Sequence, residues 1–150
     1  MRGVKHIIVV GIILVLASLC HARTPACWYL GSRLGTMDYP KGVTADGSYV
    51  VGFRLDSPDI SIIWHDGNLS QLPIGRTYAV TPDGTVLVGS FGNRAFKDVN
   101  GVQTDLGTLG SDTYSEAYAV SAHGEVVVGT SYSLSPGHQR ACVWANGGVT

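Results

Sequence analysis

The groups in this 150-residue chain that could do chemistry are 5 histidines, 3 cysteines and 11 carboxylates. Their spacing is poor for catalysis. His6 and His21 stand in an apolar leader, and His65, His123 and His138 show no His-x-x-x-His pairing of the kind that holds zinc. No Gly-x-Ser-x-Gly elbow presents a nucleophile, and no Asp-x-Asp-x-Asp-Gly loop offers oxygen ligands to calcium. The glycine-rich stretches lie between strand-like runs, whereas a phosphate cradle needs a following helix. Asp46 and Asp83 could pass for paired carboxylates doing acid–base work. Each, however, precedes a glycine at the same place in a repeated segment, and His123 fills that place in a third copy. Asp46-Gly47, Asp83-Gly84 and His123-Gly124 therefore read as structural turns. The sequence predicts no catalytic residue, no metal site and no cofactor. Binding is carried better by aromatics. Tyr114 and Tyr132 fall in stretches that vary between repeats and, with His138 in a Ser-Pro-Gly-His loop, are the candidate contacts. Tyr78 and Tyr118, like Trp64 and Trp144, occupy matching places in the repeats and read as packing.

The elements that must position these residues come from the repeat itself. Gly42-Val43-Thr44-Ala45-Asp46-Gly47-Ser48-Tyr49-Val50-Val51-Gly52 matches Ala79-Val80-Thr81-Pro82-Asp83-Gly84-Thr85-Val86-Leu87-Val88-Gly89 without a gap. Ala119-Val120-Ser121-Ala122-His123-Gly124-Glu125-Val126-Val127-Val128-Gly129 is the third copy. In each, a short strand leads into a turn. Asp hydrogen-bonds its own backbone there and Gly accepts positive φ. The return strand is a continuous apolar run, which predicts a strand covered on both faces. The glycines at 52, 89 and 129 are placed to let backbones approach closely. A second hairpin follows each first one, turning at Asp66-Gly67, Asn100-Gly101 and Asn146-Gly147. Four short antiparallel strands in about 40 residues describe a propeller blade, which buries its faces by stacking on its neighbours. The predicted fold is all-β: a β-propeller-like array of about three four-stranded blades following an N-terminal signal helix. The repeats run over about 36–75, 76–110 and 111–150, and residues 27–35 read as the lone last strand of a blade.

Three units are fewer than the four to eight of closed propellers, and the third stops inside its last strand. The expectation is a truncated array. The alternative is closure, with residues 27–30 pairing along residues 141–144 and Cys27 brought to Cys142 as a disulfide.

The triplet strand Arg94-Ala95-Phe96, its counterpart Arg140-Ala141-Cys142-Val143-Trp144, the element Leu106-Gly107-Thr108-Leu109-Gly110 and the repeated Asp-Gly hairpin resemble the HAF-repeat proteins. These are bacterial extracellular repeat proteins named for a His-Ala-Phe triplet, and related repeats occur in some autotransporter passenger regions. The chain departs from the pattern in having no His before Ala-Phe and Ser61-Ile62-Ile63-Trp64 in the first unit. The resemblance implies a secreted or surface location and no established chemistry.

Residues 1–22 have the anatomy of a cleavable export signal: Arg2 and Lys5, an apolar run over 7–19, then Cys20-His21-Ala22. The run is shorter than the ~20 residues that span a bilayer, so no stable membrane insertion is expected after cleavage behind Ala22. Leu19 before Cys20 argues against a lipidation box. The domain is then 23–150, secreted, periplasmic or at the cell surface. Charged residues make up 14% of the chain, against about 25% in average proteins, and no basic cluster suggests nucleic acid. The sequence thus reads as a non-enzymatic interaction or structural module binding an unknown protein or glycan through the variable loops 54–60, 111–117 and 131–139. One alternative is a hydrolase or lyase with a site assembled across blades from Asp112, Glu116 and His138. Another is a fragment without independent function.

Overall fold

The computed structural model describes residues 37–72, 75–134, 137–145 and 148–150. The signal at 1–22, the lone strand at 27–35 and Cys27 lie outside the described residues. No helix among the described residues is long and apolar enough to cross a membrane.

The described residues are all-β, with three four-stranded antiparallel sheets, each built in chain order. The first holds β1 (Met37–Val43), β2 (Tyr49–Leu55), β3 (Ile60–His65) and β4 (Asn68–Leu72). The second holds β5 (Arg76–Val80), β6 (Val86–Phe91), β7 (Arg94–Val99) and β8 (Val102–Asp105). The third holds β9 (Tyr114–Val120), β10 (Val126–Ser133), β11 (His138–Ala145) and β12 (Gly148–Val149). The third unit, expected to break off inside its last strand, thus forms a two-residue β12. Thr150 extends the pairing, exchanging backbone hydrogen bonds with Val143 at 2.8 and 2.9 Å.

Local chemistry explains the hairpins. At the first turn of each sheet the glycine N–H donates to the carbonyl three residues back: Gly47 to Thr44, Gly84 to Thr81 and Gly124 to Ser121, each at 2.9 Å. Side chains lock two of these turns. Thr44 Oγ1 donates to Asp46 Oδ1 at 2.6 Å while the Ser48 N–H donates to the same oxygen at 3.0 Å. Thr81 and Thr85 treat Asp83 in the same way. In the third turn the Val126 N–H donates to Ser121 Oγ at 3.0 Å, and His123 stands where the aspartates do. The second hairpins of the first two sheets turn at Asp66-Gly67 and Asn100-Gly101, with positive φ at both centre residues, the turn whose twist matches paired strands.

Each first hairpin carries the same irregularity. Register shifts pass over Lys41, Tyr78 and Tyr118, which bulge opposite Gly52, Gly89 and Gly129. A Cβ on those glycines would fall on the carbonyl oxygens of Tyr39, Arg76 and Glu116. The backbones close to a distance that only glycine permits, and the bulge turns the strand.

The sheets stack in chain order. β1, β2 and β3 pack on β5, and β5, β6 and β7 pack on β9, so β1, β5 and β9 run side by side. The second interface is the main core: Val88 and Ala95 meet Ala117, Val127, Cys142 and Trp144, with Leu106 and Leu109 from the linker against them. β2 and β6 each hold four or more consecutive buried residues. β10 departs from the expectation of a strand covered on both faces. Val127 is buried, but Val126 is 38% and Val128 41% exposed. The cause is positional: β10 belongs to the last sheet, and no described sheet packs on its outer side.

Candidate functional site

The antiparallel registers put the start of β1, β5 and β9 at the same end of each sheet as the loop between the second and third strands. At that end the three sheets enclose an open cleft of about 480 Å³. Loop 56–59 of the first sheet, residues 75–76 and 90–93 of the second, and Tyr114, Glu116 and Tyr132 of the third line it. Tyr114 and Tyr132 are cross-strand partners, and their rings stack at 5.1 Å with 12° between planes. Such pairs form readily at close-packed ladder positions.

Charges in the cleft are held in place. Arg76 Nε donates to Asp59 Oδ2 at 2.6 Å, and the guanidinium lies over the Phe53 ring at 5.2 Å. The bond to Asp59 raises the Arg76 pKa above its ordinary value, so this cation is permanent. Tyr118 donates to Glu116 Oε2 at 2.5 Å. Burial, with the Glu116 carboxylate beside it, pushes the Tyr118 phenol up to about 12. Burial and the same carboxylate raise Tyr132 too. The cleft therefore offers the stacked Tyr114–Tyr132 rings, one fixed cation and carboxylates. These groups suit stacking and hydrogen bonding more than proton transfer. Among the described residues, no group of three His, Cys, Asp or Glu is placed to hold a metal ion.

The sequence reading set Tyr114 and Tyr132 in variable loops; both lie on strands, β9 and β10. The hairpin between β10 and β11 is correspondingly tighter than 131–139, because the ladder runs on as far as Ser133 opposite His138. His138 opens β11 and does not line the cleft. Its Nε2 lies 2.7 Å from Asp112 Oδ1. Asp112 is buried and accepts from Ser131 Oγ and Arg140 Nη2, each at 2.8 Å. Burial alone would push this carboxyl up. The bonds from Arg140, Ser131 and His138 outweigh that and hold it well below the usual carboxylate range. Arg140 also donates to the Leu109 carbonyl, and the Leu109 N–H donates to Ser131 Oγ. The cluster thus fastens the linker between the second and third sheets. Asp112 and His138 sit together, whereas Glu116 lines the cleft on the other face of its strand pair. Cys142 is buried with a free thiol, whose pKa burial raises.

Sequence reasoning passed over Arg76. No motif marks it. Counting back from the shared Val43, Val80 and Val120, one place in the repeat holds Tyr39, Arg76 and Glu116. The places on either side differ as well, with Asp38, Gly75 and Ser115 before it and Pro40, Thr77 and Ala117 after it, so the repeat alone does not single it out. No family model matches the chain, and no curated protein matches it.

Proposed function

We propose that the chain is a non-enzymatic secreted or surface repeat protein, a propeller-like array that binds a protein or glycan at the end where the variable positions converge. The observation that carries this is the composition of the cleft. Sheets alike in register, turn and bulge differ at the places that line it, with Arg76 and Glu116 at one repeat position and the Tyr114–Tyr132 pair beside them. Variation confined to one end of a rigid scaffold is how binding loops are usually deployed. Aromatic rings beside fixed polar groups suit a sugar or a peptide side chain. The HAF-repeat resemblance and the signal-like leader support an extracellular setting. The test is a glycan array and an envelope-protein panel probed with the full chain, then titration of each hit with Tyr132→Leu and Glu116→Gln. Binding should fall about tenfold or more in each variant, in the range of an interface anchor, with thermal melts that show both folded. Hits indifferent to both substitutions would refute the cleft as the binding site.

A further inference from the structure

The two sheet–sheet interfaces are the same contact made twice. In the first, the Tyr49 ring lies over Gly84 so closely that a Cβ there would fall on it. In the second, Val86 fills the same role over Gly124, with its Cγ2 2.8 Å from the place a Cβ would take. Lys97 adds a bond from its Nζ to the Gly124 carbonyl at 2.5 Å. Tyr49, Val86 and Val126 share one repeat position, as do Val51, Val88 and Val128. Val51 and Val88 are buried to 1% and 0% exposure, while Val128 remains open.

Among the described residues, both halves of a third such contact stand unused, at opposite ends of the stack. At one end Val126, Val128 and Val143 are exposed on the outer face of the third sheet. At the other, no described residue comes within 4 Å of a Cβ position at Gly47, the counterpart of Gly84 and Gly124. Val43 beside it is 65% exposed, whereas its counterparts Val80 and Val120 are half-buried.

We infer that the outer face of the third sheet docks the first sheet of a second copy of this chain, with Val126 over Gly47 and Val128 closing on the first hairpin. The contact is head-to-tail and is made twice in a pair. Two copies then bring six sheets round one axis, inside the range of closed propellers. The inference rests on the equivalence of the sheets and is independent of what the cleft binds.

The test is sedimentation of the full chain with Val128→Asp and Val43→Asp, two exposed positions at opposite ends. Wild type should sediment at twice the mass of one chain. Each variant alone should be monomeric with a near-wild-type melt, its pairing weakened about a hundredfold by an unpaired carboxylate in an apolar contact. An equimolar mixture of the two variants should regain dimer, because one of its two contacts is then wild type on both sides. A wild-type monomer at about 100 µM (well above the Kd of a stable pair), species that lengthen with concentration, or a mixture that stays monomeric would each overturn the inference.

Discussion

Gly89→Ala tests the close approach on which every sheet depends. The added methyl would coincide with the Arg76 carbonyl oxygen, with Phe96 Cε1 3.0 Å away on another side. To reach ordinary contact, β5 and β6 would have to part by about 1 Å or more, and overpacking of this kind typically costs about 1–3 kcal/mol. The obstacle is backbone rather than a flexible side chain, and the neighbours Val88 and Phe96 are buried. The cost therefore belongs at the upper end, about 3 kcal/mol, which for a domain of this size lowers Tm by about 10 °C. Gly92→Ala is the control. Gly92 has φ 59° and open space around its Cβ position, so it isolates left-handed backbone strain at about 1 kcal/mol. Thermal melts followed by circular dichroism, with urea titrations for ΔΔG, measure both. A Gly89→Ala protein that melts no lower than Gly92→Ala would refute the reasoning.

Ser115 joins two sheets through one hydroxyl, accepting from the Ala95 N–H and donating to the Gly107 carbonyl, both at 2.9 Å. Ser115→Ala leaves the buried Ala95 N–H without its acceptor and the half-buried Gly107 carbonyl without its donor, and should cost about 2 kcal/mol in urea unfolding; an unchanged midpoint would contradict this. The Asp112 carboxyl, depressed in the fold, contributes stability above its unfolded pKa of about 4. That contribution is lost as pH falls through the lowered folded value. Asp112→Asn should therefore be clearly less stable than wild type at pH 7, with the gap narrowing below about pH 4. A gap constant from pH 7 to pH 3 would show that Asp112 acts through something other than its charge.

The elements were legible where local chemistry is strong. Asp66-Gly67 and Asn100-Gly101 announce their turns because few other residues accept two successive positive φ angles. The apolar runs at 49–51 and 86–88 announce strands covered on both sides. The run at 126–128 is as apolar, yet its burial depends on what stacks beyond it, which no local pattern encodes. Tyr114 and Tyr132 looked like loop residues because glycines, serines and prolines surround them. Tertiary pairing extended β9 and β10 through them, as context routinely overrides β propensity. His138 looked free because its partner, Asp112, lies far back in the linker before β9. Arg76 and Glu116 gave no motif at all, and the places beside them vary as much, so only the folded cleft brings them out.

Backbone NMR of the full chain, titrated with a protein or glycan hit, tests the binding account most directly. Chemical-shift changes should gather at residues 56–59, 76, 90–93, 114–116 and 132. Changes centred on the opposite end, at the Asp46-Gly47, Asp83-Gly84 and His123-Gly124 turns, would contradict it.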